Sequence, residues 1–109
     1  MSIPHAHSGQ AIDVTPYGPV HAEQRSVALF KSTQLEVMRL VLSTGKSMPE
    51  HKVSGEITIQ CSEGALDVQV EGISTLLQAG PLMFLAGHVP HSVTALAPSS
   101  ALVTLVLQH

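Results

Sequence analysis

An all-β fold is expected for this chain on three observations: apolar runs of strand length, turn residues between them, and one hairpin whose pattern and register agree. The runs fall at residues 26–31, 35–42, 56–61, 65–70, 73–78, 82–85, 92–97 and 101–108, and are rich in Val, Leu, Ile and Met. Gly, Pro and Ser punctuate them, and seven prolines and eight glycines leave little room for a long helix. The best helical candidate, residues 20–28, shows no 3.6-residue apolar period, so no helix is assigned there.

The hairpin can be read residue by residue. Leu66, Val68 and Val70 alternate with Asp67 and Gln69, which marks a strand buried on one face. Glu71-Gly72 supplies a two-residue turn, with glycine able to take positive φ. Pairing about that turn sets Val70 opposite Ile73, Val68 opposite Thr75 and Leu66 opposite Leu77, with all six side chains on one face.

Segments 35–42 and 101–107 behave differently, being apolar on both faces apart from Glu36, Arg39 and Thr104. In an antiparallel sandwich one face normally meets water, so a second cover is required. A second copy of the chain, giving a homodimer, is the expected cover; the amino-terminal arm is the alternative. Residues 1–25 read as a partly ordered arm and 26–109 as the barrel domain.

At 109 residues there is room for one core, and 44% hydrophobic against 12% charged residues argues for a packed one. With two Phe, one Tyr and no Trp, that core must be built from Val, Leu, Ile, Met and Ala. Met38, Met48 and Met83 are assigned to it. A formal charge of −3 without any Lys/Arg cluster argues against nucleic acid and membrane surfaces as partners. The single cysteine, Cys61, cannot form an intrachain disulfide. The first residues carry no basic region followed by an apolar run, and no stretch approaches the roughly 20 apolar residues of a membrane helix. A cytoplasmic protein is the expectation.

Two stretches carry the candidate chemistry: Gly45 to Gly64, containing His51, Val53, Glu56 and Ile57, and Gly80 to Ala95, containing His88 and His91. Each resembles one of the two motifs of the cupin superfamily. The first motif runs Gly, five residues, His-x-His, three or four residues, Glu, six residues, Gly. The second runs Gly, five residues, Pro-x-Gly, two residues, His, three residues, Asn. Gly45, His51 and Gly64 match the first in register, and Gly80 and His91 match the second. Val53 stands where the second histidine belongs and Ile57 where the glutamate belongs; Ala86, His88 and Ala95 replace the Pro, Gly and Asn.

The resemblance implies a cupin jelly-roll barrel (a double-stranded β-helix) with a pocket between its sheets, lined by His51, Val53, Ile57, Ile59 and His91. In the family, three histidines and a carboxylate hold a divalent metal inside the barrel. Here two of those four positions are hydrocarbon, so any Zn, Ni, Fe or Mn would be weakly held, by His51 and His91 with Glu56 turned inward by a bulge at Ser54-Gly55. Otherwise Glu56 is a rim residue. Three functions remain open: binding of an unidentified small molecule, a metal-dependent enzyme of dioxygenase or isomerase type with no catalytic residue assigned, and a dimerisation scaffold. Of the other histidines, His5 and His7 read as a solvated tail, His88 as a turn residue at the pocket mouth, and His21 and His109 as surface residues. Cys61 reads as an inward-facing small hydrophobe.

Overall fold

The computed structural model describes residues 5–51 and 54–107. Two antiparallel sheets lie face to face. The five-stranded sheet has the order β1 (Val27–Lys31), β2 (Leu35–Leu42), β9 (Ser99–Val106), β4 (Ile57–Glu63), β7 (Leu82–Leu85). The four-stranded sheet has the order β3 (Ser47–His51), β8 (His91–Ala95), β5 (Ala65–Val70), β6 (Ile73–Gln78). The expected all-β class is the one observed. No helix among the described residues is long and apolar enough to cross a membrane.

The strands form where the two-residue alternation demands it. Ile57, Ile59 and Cys61 of β4 turn inward and are buried, as are Leu66 and Val68 of β5 and Val93 and Ala95 of β8. Leu40, Leu77, Leu85 and Ala101 complete this core, and each large aliphatic side chain contributes about 1.5–3 kcal/mol by leaving water. The β5–β6 hairpin pairs in the expected register, Val70 with Ile73, Val68 with Thr75 and Leu66 with Leu77. Glu71 and Gly72 both take positive φ, 52° and 83°, as a tight hairpin turn requires. Burial fades along this hairpin towards its turn: Leu77 is 3% exposed but Ile73 69%.

Some local expectations need correction. Residues 47–51 form a strand where none was expected, β8 begins at His91, and β9 begins at Ser99. Residues 20–28, where no helix was assigned, hold none beyond the end of a 3-10 turn at Gly18–Glu23. His21, expected at the surface, is buried at 6% exposure, with Nε2–H donating to the Ser99 carbonyl at 2.8 Å. His109 lies outside the described residues, whereas His5, His7 and His88 are exposed.

His21 belongs to an arm that packs on the barrel. Ala6 N–H donates to the Leu29 carbonyl at 2.9 Å, and Arg39 donates to the Thr15 carbonyl while stacking on Tyr17, 3.7 Å from its ring centroid. Glu63 fastens the same stretch, accepting from Tyr17 N–H at 2.9 Å, Gly18 N–H at 3.0 Å and Ser100 Oγ–H at 2.6 Å. The arm thus covers part of the outer face of the five-stranded sheet, the alternative cover for the doubly apolar strands β2 and β9.

Burial alone would raise the Glu63 carboxyl, but the Ser100, Tyr17 and Gly18 hydrogen bonds, with His21 nearby, outweigh it and hold it below its ordinary value. A carboxyl depressed by folding stabilises the fold in full above its unfolded value of 4.5 and ceases to as pH falls through the lower folded value. The thermal midpoint is therefore expected to drop on acidification below that value, and Glu63→Gln to flatten the drop. Midpoints recorded across the acid range for both proteins check this; parallel profiles would discount the Glu63 contacts.

Candidate functional site

The interior cavity follows from the facing alternations. Register places Met38, Val103 and Ile59 side by side across the five-stranded sheet, with Leu105 beside Ile57 one step along the same face. Opposite them, Met48 pairs with Val93, and His91 opens β8. Between the sheets these residues and Leu40 enclose a cavity of about 80 Å³. Eight of its nine lining side chains are hydrocarbon or thioether; His91 is the ninth.

His91 is 3% exposed, and its Nδ1 lies 3.1 Å from the Val89 carbonyl. A carbonyl only accepts, so Nδ1 carries the hydrogen in this contact. His51 is the direct register partner of His91 across β3 and β8, after a register shift between Met48 and His51. Of His51 the structure describes only the backbone, and Val53 lies outside the described residues.

Ile57 and Ile59 line the cavity wall, at 3% and 2% exposure. Glu56 precedes β4 and is exposed; its carbonyl accepts from Val106 N–H at 3.0 Å. A close approach fixes that turn: a Cβ built on Gly55 would stand 1.7 Å from the Val106 carbonyl oxygen. On the other side a Cβ on Gly87 would stand 2.3 Å from the Ser54 carbonyl oxygen. Gly55→Ala is accordingly expected to lower stability by about 2–4 kcal/mol, read from the shift in urea midpoint at unchanged slope. A change under about 0.5 kcal/mol would show that the turn adjusts freely.

The donor set tests the fit of a divalent metal. Among the described residues, no three His, Cys, Asp or Glu side chains come together in a way that could hold one. Ile57, at the family's carboxylate position, is a buried wall residue, and Val53 offers no lone pair. The family's four-donor site does not fit this chain. Cys61 adds no reactive group: burial pushes its thiol up, and its Sγ–H points to the Glu63 carbonyl at 3.2 Å.

Six further cavity residues, Met38, Leu40, Met48, Val93, Val103 and Leu105, had no place in the sequence-derived pocket. Only the pairing of distant strands assembles them. A residue in an apolar run shows its period but not which partner strand it will face.

No family model matches the chain, and no curated protein matches it. Solved structures do. A Streptococcus pyogenes protein of unknown function superposes with a TM-score of 0.77 at 15% identity, over 100% of this chain and 96% of the other. A cupin superfamily protein from Desulfitobacterium hafniense gives a TM-score of 0.75 at 14% identity, over 91% of this chain and 100% of the other. A salicylate 1,2-dioxygenase from Pseudoaminobacter salicylatoxidans, in complex with gentisate, gives 0.65 at 20% identity, over 73% of this chain but only 24% of the enzyme. With its two facing antiparallel sheets and these superpositions, the chain has the fold of a small RmlC-like cupin.

Proposed function

We propose that the chain is a binding cupin whose barrel takes a small, mostly apolar molecule carrying one hydroxyl. The observation that carries this is the cavity wall: eight apolar side chains around one buried imidazole. Such a wall rewards hydrocarbon, and the imidazole is the one polar side chain among its lining residues. Size narrows the class. A cavity of about 80 Å³ holds the volume of two or three waters and falls far below the roughly 300–1,000 Å³ of drug-sized sites. Short-chain alcohols match both limits.

Titration of the labelled chain with butan-1-ol, followed by amide and methyl NMR, tests the reading. Saturable shifts are expected at Ile57, Ile59 and His91. Met38→Phe, which fills the cavity from a half-buried position, is expected to weaken binding at least about tenfold. Shifts that never saturate, or that Met38→Phe leaves unchanged, would remove the barrel as the binding site.

Self-association is the second part of the proposal, with a copy of this chain as the partner. The outer face of the four-stranded sheet is mostly polar, with Ser47, Asp67, Gln69, Ser92 and Thr94, and among the described residues exposes only Leu76 of its large apolar side chains in the paired strands. The outer face of the five-stranded sheet is more apolar, although Thr58, Gln60 and Thr104 lie on it. Beyond the arm it leaves Leu35, Leu82, Phe84 and Val106 exposed at 38%, 61%, 61% and 36%. Large exposed apolar side chains gathered on one sheet face support a contact surface there.

A further inference from the structure

A second recess, of about 420 Å³, lies outside the barrel, between the arm and the outer face of the five-stranded sheet. Tyr17, Val27 and Leu29 give it apolar walls, Asp13 and Gln24 border it, and Arg39 lines it. Arg39 is the unexplained group. It is 5% exposed, although a guanidinium stays charged at any ordinary pH and is costly to bury without a counter-charge. Among the described residues no carboxylate forms an ion pair with it, although Asp13 at the recess edge is near enough to feel its charge, and its Nε is buried without a hydrogen-bond partner. One of its five N–H groups reaches the Thr15 carbonyl, and its flat face lies on Tyr17.

Holding the arm to the sheet uses one neutral hydrogen bond and one stacking contact. A positive charge and most of a planar donor fork are surplus to that task. The fork is the natural complement of a carboxylate, and the adjoining walls suit a hydrocarbon body. We propose that this recess binds a small organic monocarboxylate, its carboxylate on Arg39 and its hydrocarbon against Tyr17, Val27 and Leu29. The site is separate from the barrel cavity and does not rest on the reading given for it. Asp13 sets the charge limit. Its Oδ1 accepts from Thr15 N–H at 2.9 Å and from Thr15 Oγ–H, so the carboxylate stays at the recess edge and repels ligands with more than one negative charge.

Benzoate, benzamide and inorganic phosphate, titrated separately into the full labelled chain, test the site by NMR. Benzoate is expected to shift the amides of Tyr17, Val27, Leu29 and Arg39 saturably, with benzamide and phosphate each at least about tenfold weaker. Asp13→Asn changes an exposed side chain, leaves the fold intact and is expected to tighten benzoate about two- to threefold. Arg39→Met is expected to abolish binding while the far-ultraviolet spectrum keeps its β shape. Equal responses to benzoate and benzamide would overturn the proposal. So would benzoate shifts confined to Ile57, Ile59 and His91, no saturable response at all, or tighter binding of phosphate than benzoate.

Discussion

Zinc or nickel affinity is expected to rise by about a hundredfold or more when Val53→His and Ile57→Glu are introduced together, with the parent binding either metal only weakly. Ile57 lines the cavity that also holds His91, so a carboxylate at position 57 enters the same space as that imidazole. Val53 is the position at which the cupin motif carries its second histidine. The parent lacks both donors, and water in their place gives up the pre-arranged geometry on which tight binding depends. Imidazole must be neutral to ligate, so affinity in both proteins is expected to fall as the solution is made acidic. His91→Ala in the double variant should return binding to the parental level. Calorimetry on the parent, the double variant and the triple variant measures all three. A parent that binds stoichiometrically through a chelator wash would show that other donors complete the site. A double variant that stays folded yet binds no better would show that positions 53 and 57 do not share one face.

Phe84→Asp is expected to halve the mass found by sedimentation at about micromolar concentration, from two chains to one. Phe84 stands on β7, an edge strand, in the row that continues through Thr58 and Thr104 to Val37 on the outer face. At 61% exposure the ring supports little inside its own protomer, so the β spectrum and the melting of the isolated chain should hardly change. A charge buried in the contact between two copies, by contrast, leaves a desolvated carboxylate with no partner and dissociates the pair. Val103 and Leu105 would make poorer probes, because both pack against the core and an acidic residue there disrupts the protomer itself. A parent that sediments as a single chain at high concentration would leave the face to solvent and end the proposal of self-association.

The fold was readable in the sequence because its signals are local. The alternation of β5 and the Glu71-Gly72 turn fix the hairpin within a dozen residues, and the inward set of β4 follows from Ile57, Ile59 and Cys61 alone. Strand β3 was hidden by Pro49, which lacks the N–H of a ladder and reads as a loop. It is accommodated because β3 is an edge of its sheet. His21 looked like a surface residue since its partner, the Ser99 carbonyl, is 78 positions away and lies at the start of a strand that the arm crosses. The cavity was partly legible: Ile57, Ile59 and His91 could be placed by motif spacing. Met38, Met48 and Val103 could be assigned to an interior but not to one wall. Arg39 carried a visible signal, a charge inside an otherwise apolar run, whose meaning depends on the arm above it.

The chain has one tyrosine and no tryptophan, and that tyrosine belongs to the arm and not to the barrel. Ultraviolet emission therefore comes almost wholly from a ring stacked on Arg39 and held by the Glu63 contact, while the aliphatic interior is optically silent. Fluorescence and circular dichroism consequently watch two different parts of the molecule. Where the arm lifts from the sheet before the sandwich opens, emission changes first and the dichroic signal follows at higher temperature or lower pH. Coincident transitions mean that arm and barrel melt as one cooperative unit. The natural sequence thus carries its own single-site reporter of arm docking, with no label to introduce.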